Sequence, residues 1–270
     1  MCIRDRTYYI RENQNPKDKA YIKMVIKAGS VMEEEHQQGL AHLLEHMAFN
    51  GSKNFPKRSV DEFMSSIGLN IGTHYNASTG FFTTNYEYEI PTNDPKNLET
   101  VIKIFADILK NLSLEGDAFE RERKIVEEEW RSDLGASKRY LDELLPYLYK
   151  DSRLLERKPI GDIEIIRNFE YDDARSYYNK WYQPNLMGLF VIGDVDVNQI
   201  KNIITESFSS FENNDVTIPN YKIPDFKENQ FFKYQDEETE RITFDLWEKT
   251  DFKKLNNFDN YKDDRIYNLI

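Results

Sequence analysis

Apolar and polar residues alternate over 20–28 (Ala-Tyr-Ile-Lys-Met-Val-Ile-Lys-Ala), the period of a strand with one buried face, and Gly29 ends the run. Over 38–49 the period changes. Leu40, Leu43, Leu44 and Met47 form an apolar stripe at helical spacing. Asn50-Gly51 supplies a stop, because glycine tolerates the left-handed backbone at a helix C-terminus. Ser59-Val60-Asp61-Glu62 reads as a capping box opening a helix that runs to Ile67-Gly68. Strands are expected over 70–79 and 81–90, the second alternating through Tyr86, Tyr88 and Ile90 and stopped by Pro91. Asn93-Asp94-Pro95 starts a long helix carrying Leu98, Val101, Ile102, Phe105, Ile108 and Leu109. Asp117 caps another, extending past Trp130. A helix over 171–182, a buried-type strand over 189–195 and an amphipathic helix over 197–211 follow.

From residue 213 the pattern fades. Pro219 and Pro224 interrupt a stretch poor in apolar residues, so 213–240 reads as a linker. Alternation returns over 241–248 (Ile242, Phe244, Leu246), the expected first strand of a second domain left incomplete in 241–270. Residues 7–212 form the main domain. Strands that pair locally with long helices between them predict an α+β fold.

Composition narrows the function classes. The 270 residues suit one or two domains, and 39% hydrophobic with 14% aromatic residues is ample for a packed core. With 36 basic and 48 acidic residues the formal charge is −12, which argues against nucleic acid as a partner. Mean hydropathy is −0.73, and no apolar run approaches the ~18 residues of a transmembrane segment. A single cysteine, Cys2, excludes an internal disulfide framework. Residues 1–6 (MCIRDR) lack the apolar core of a signal peptide and run abruptly into Thr7-Tyr8-Tyr9, so this start is read as truncated or wrongly extended.

The chemistry lies in His42-Leu43-Leu44-Glu45-His46, an inverted HxxEH motif. Imidazoles at i and i+4 share one helix face and can reach one tetrahedral Zn²⁺. Glu45 then sits beside the open coordination position as a base for metal-activated water. A pair of core or surface histidines is the bland alternative; the glutamate at the motif's fourth place weighs against it. A third ligand must come from another element. Cys2 and His74 are possible sources, but the acidic helix around 119–130 is better placed. At ~100° per residue, Phe119, Glu122, Ile125, Val126, Glu129 and Trp130 fall on one side, while Glu127 and Glu128 point away. Glu122 and Glu129 are thus carboxylates on an apolar face that need a partner. Glu120, Glu127 and Glu128 read as a solvated face paired with Arg or Lys.

These motifs, in this order, resemble the pitrilysin/insulinase family of zinc peptidases, which includes the mitochondrial processing peptidases. The residues that carry the likeness are Gly39 to Phe49, Asn76-Ala77-Ser78-Thr79, Glu120 to Trp130, Trp181-Tyr182-Gln183-Pro184-Asn185 and Val191-Ile192-Gly193-Asp194. The wording around Glu127–Arg131 and Trp181–Asn185 is most similar to bacterial multi-domain, envelope-associated members.

The resemblance implies His42 and His46 as ligands of one Zn²⁺ per chain, Glu45 as general base and Glu129 as third ligand. Glu122 would orient a ligating histidine. Asn76 and Ala77 would lie on the strand edge where substrate peptide pairs, and Gly39 and Asn50 would be structural. The implied fold is a mainly antiparallel sheet covered by helices, one half of a duplicated unit, with a family strand ahead of Thr7 absent or replaced. The implied function is a zinc endopeptidase acting on peptides or small unfolded proteins. Its second homologous half, in the same parent chain or a partner subunit, would supply an Arg and a Tyr, so the isolated piece is expected to be inactive. The resemblance favours the bacterial periplasm or envelope. The rival reading is a non-catalytic peptide-binding or scaffold subunit of the same fold.

Overall fold

The computed structural model describes residues 2–3, 6–114, 116–212, 214, 216–240, 242–249 and 262. Its strands are β1 (Cys2–Ile3), β2 (Arg6–Glu12), β3 (Lys19–Ile26), β4 (Tyr75–Thr79), β5 (Thr84–Pro91) and β6 (Met187–Gly193). They form one sheet in the order β1-β2-β6-β3-β5-β4. Every neighbouring pair is antiparallel except β2 and β6, which run parallel. The helices are α1 (Leu40–Asn50), α2 (Ser59–Ser66), α3 (Pro95–Lys110), α4 (Gly116–Ser132), α5 (Ala136–Leu148), α6 (Ile163–Asn168), α7 (Tyr171–Trp181) and α8 (Val197–Phe208). The fold is α+β, a mainly antiparallel sheet with helices on one face.

Period-two patterning explains the one-sided cover. Ile22, Met24 and Ile26 of β3, Tyr86, Tyr88 and Ile90 of β5, and Leu189 and Val191 of β6 are buried. They join Leu40, Leu44, Val101, Phe105, Ile200 and Ile204 of the helices in one core. On the opposite face Lys19 pairs with Glu89 and Lys23 with Glu87, and Tyr9 stacks on Phe190. β4 is the edge strand.

Several expectations need correction. Thr7-Tyr8-Tyr9, where no strand was expected, lies in β2, which pairs with β6. Ser59 does not cap α2. Arg58 holds the N-cap without a side-chain bond, and the buried Ser59 hydroxyl has no hydrogen-bond partner among the described residues. Asp117 lies inside the first turn of α4. Ile125 is 44% exposed, so the apolar face of α4 is narrower than the helical wheel implies. Residues 242–249 form no strand, and Ile242, Phe244 and Leu246 are almost fully exposed. Alternation needs a partner strand to become structure. The remainder of the proposed second domain (241, 250–261 and 263–270) lies outside the described residues.

Residues 216–240 form neither helix nor strand. Part of this segment is nonetheless held against α5. Phe232 packs on Tyr140 and Tyr147, and Arg139 donates two hydrogen bonds to Asp236, at 2.8 and 2.9 Å.

α1 is fixed at both ends. Its N-cap is Gly39 at φ 101°, a left-handed residue with no side chain to satisfy the first amides. A side chain there would also strike Ile166, 2.8 Å from the position of an added Cβ. Glu33 supplies the missing acceptor: its Oε1 takes the Gly39 N–H at 3.1 Å and the Ala41 N–H at 2.8 Å. Its main-chain carbonyl is held by Arg157 at 3.0 Å and by Arg153. At the other end Asp107 of α3 accepts from the Ser52 hydroxyl, from both nitrogens of Asn54 at 2.8 and 2.7 Å, and from Asn111 at 2.6 Å.

Burial pushes the Glu33 carboxyl up to about 8, against the pull of the Ala41 and Gly39 amides and of Arg157 and Arg153. An acid with a raised folded-state pKa binds its proton more tightly folded than unfolded. Its contribution is therefore full below the ordinary carboxyl range and is lost as pH rises toward about 8. Glu33→Gln keeps an acceptor oxygen and removes the titration. Urea midpoints at about pH 5 and about pH 9 should show the wild type losing stability relative to Glu33→Gln as pH rises. A pH-independent difference between the two would contradict this account.

Candidate metal centre

His42 and His46 sit one turn apart on α1, with their rings 4.7 Å apart and nearly perpendicular. Their Nε2 atoms face each other at 3.3 Å. α4 crosses α1 and brings Glu129 against both: its Oε2 is 3.5 Å from His42 Nε2 and 3.6 Å from His46 Nε2. Among the described residues these three form the one His/Cys/Asp/Glu group able to hold a metal ion. Glu122, two turns earlier on α4, lies 3.0 Å from His46 Nδ1. A carboxylate beside Nδ1 suits the tautomer with its proton there, which would leave Nε2, facing Glu129 and His42, as the atom for a metal.

The donor set fits a tetrahedral cation. Ligands at about 2.0–2.1 Å from zinc on the corners of a tetrahedron are about 3.3–3.4 Å apart. The three atoms here are separated by 3.3, 3.5 and 3.6 Å. His42 Nδ1 has no hydrogen-bond partner among the described residues.

Charge points the same way. On α4, Glu120 pairs with Arg123, Glu127 with Arg131 and Arg167, and Glu128 with Arg131. Among the described residues the two glutamates facing α1 pair with imidazoles alone. Burial, with His46 adding to it, pulls His42 down to about 4, so its ring is neutral near pH 7. Burial also lowers His46, but the Glu122 hydrogen bond and the charges of Glu129, Glu45 and Glu122 outweigh it and the net shift is upward. Burial raises Glu45, against the Thr79 hydroxyl and His46 and with the charge of Glu129.

Glu45 is 7% exposed, and its Oε2 accepts the Thr79 hydroxyl of β4 at 2.6 Å. Sequence reading gave Thr79 no role. The available signal was the period of β4, which sets Tyr75, Ala77 and Thr79 on one face. Ala77 packs half-buried against the core, whereas Asn76 is exposed on the opposite face. Asn50 donates to the His46 carbonyl at 3.2 Å. The other histidines stand apart: His74 accepts the Asn70 N–H at 3.2 Å, and exposed His36 lies 3.5 Å from Asp173.

Comparison with known proteins gives a consistent picture. Residues 8–154 match the family model described as Insulinase (Peptidase family M16), and residues 168–262 match Peptidase M16 inactive domain. β6 belongs to the second match yet pairs with β2 and β3 of the first, so one sheet spans both. The Probable zinc protease PqqL of Haemophilus influenzae is 33% identical over 202 residues, covering 75% of this chain and 22% of that protein. The crystal structure of the periplasmic protease PqqL from Escherichia coli superposes with a TM-score of 0.76 at 33% identity, over 82% of this chain and 24% of the other. A mutant of the ferredoxin protease FusC, solved in complex with Arabidopsis ferredoxin, gives 0.77 at 28% identity, over 82% and 25%. The chain thus spans about a quarter or less of these relatives. Among the described residues, no helix is long and apolar enough to cross a membrane.

Glu122 tests the site without any assay of activity. Glu122→Gln should weaken zinc binding about 10- to 100-fold in competition titrations, because the partner that orients His46 loses its charge. An unchanged affinity would mean that the His46–Glu122 contact does not shape the site.

Proposed function

The chain belongs to the insulinase family of peptidases (peptidase family M16), and on that footing we propose that it is the metal-binding part of a zinc-dependent endopeptidase. The observation that carries the proposal is the meeting of His42, His46 and Glu129 at tetrahedral ligand spacing with no Arg or Lys paired to the cluster among the described residues. His42, His46 and Glu129 hold one Zn²⁺, and Glu122 orients His46. Zinc, when bound, supplies Lewis acidity toward the scissile carbonyl and the attacking water.

Glu45 is the general base. Its carboxylate takes the proton of the attacking water and passes it to the leaving amine. Its burial, which favours the protonated acid, suits the second of these tasks.

The substrate is a peptide or small unfolded protein that adds a strand to the open edge of β4. Hydrogen bonds from Glu89 N to His74 O at 2.7 Å and from Gly80 N to Thr83 O at 2.8 Å flank the β4–β5 ladder. Bonded positions alternate in an antiparallel pair, so 76 and 78 face β5 and the backbone of Ala77 faces the open edge. Asn76 offers an exposed side chain beside it. Completion of the site belongs to a second homologous half, in the same parent chain or a partner subunit, and the 270-residue piece alone is inactive. The parent protein acts in the bacterial periplasm or envelope, in keeping with the periplasmic PqqL protease.

The test uses the longer parent chain. Glu45→Gln should keep zinc near one per chain and lower peptide hydrolysis at least about 10²- to 10⁴-fold. A chelator should abolish wild-type turnover and added zinc restore it. Turnover by Glu45→Gln within tenfold of wild type would overturn the mechanism. Peptide binding without chelator-sensitive turnover would make the protein a scaffold.

A further inference from the structure

We infer that Thr79 is a positioning residue for the base, and that it ties Glu45 to the strand edge where the peptide docks; this rests on the function proposed above. Glu45 is almost wholly buried on α1, and a buried carboxylate without a donor is costly. Its one hydrogen-bond donor among the described residues is the Thr79 hydroxyl, 2.6 Å from Oε2. The same hydroxyl lies 3.5 Å from the carbonyl of Ala41, one turn back on α1. No donor among the described residues reaches Oε1. Thr79 therefore occupies one carboxylate oxygen and leaves the other to accept a proton.

The backbone of Thr79 does the second task. By the alternation that turns 76 and 78 toward β5, its N–H and C=O face the open edge together with those of Ala77. One residue thus touches the base through its side chain and offers its main chain to an added strand. A peptide in register with Ala77 and Thr79 is placed relative to Glu45 by a single residue of β4. The β-branch of threonine restricts χ1 and so holds the hydroxyl in this direction.

The experiment compares Thr79→Val, Thr79→Ser and Glu45→Gln in the zinc-loaded parent chain. Thr79→Val, nearly isosteric, should lower kcat about 10- to 100-fold, with KM within about threefold and zinc near one per chain. Thr79→Ser should recover kcat to within about threefold of wild type. Without metal, the ¹³C resonance of the Glu45 side-chain carboxyl should move in Thr79→Val and stay near its wild-type position in Thr79→Ser. The inference is overturned if Thr79→Val keeps kcat, if its loss lies in KM or zinc content alone, if serine and valine are equally impaired, or if the Glu45 resonance does not move. Full turnover by Glu45→Gln in the same assay would instead remove the proposed function, with the resonance still reporting the hydrogen bond.

Discussion

The site depends first on how α1 is held. A helix that begins at a left-handed glycine has no cap of its own, and its first amides point into the protein. The Glu33 carboxyl group, six residues before Gly39, accepts two of them, while Arg153 and Arg157 hold the loop that carries it. Asp107 accepts three donors from the turn that leaves the helix and a fourth from Asn111 at the end of α3. These two acidic side chains tie the start of the helix to the loop before it and the turn after it to α3. The way α1 presents its two imidazoles thus depends on groups that never touch them, as well as on the Glu122 contact to His46.

The second constraint is electrostatic. Glu45, Glu122 and Glu129 converge on two imidazoles, one of them neutral near pH 7. Elsewhere on α4 glutamates are matched by arginines within a turn or from α6. Among the described residues no Arg or Lys pairs with this cluster, and a divalent cation held as proposed above would offset its negative charge.

What the sequence disclosed followed from periodicity and spacing. The interval from His42 to His46 and the angular place of Glu122 and Glu129 on α4 are local properties of a helix, and they come together in the fold. The strand pattern around Ile22 and around Tyr86–Ile90 was legible for the same reason. The roles of Glu33 and Thr79 were not, since each acts on another element and only tertiary packing reveals the target. α5 passed unnoticed because Leu144 is its one buried residue and Pro146 interrupts its pattern. β2 went unread because its partner is β6, far along the chain. The alternating run at 242–248 misled for the opposite reason: its apolar residues Ile242, Phe244 and Leu246 stand almost fully exposed and form no ladder.

The parallel pairing of β2 with β6 also has a consequence for synthesis. Thr7 lies opposite Gly188, so 181 residues separate the two partners. At about 5–20 residues per second, a ribosome needs roughly ten to forty seconds to make the intervening chain. Through that interval the nascent β2 has no β6 to join, and the centre of the sheet can close only after β6 has emerged.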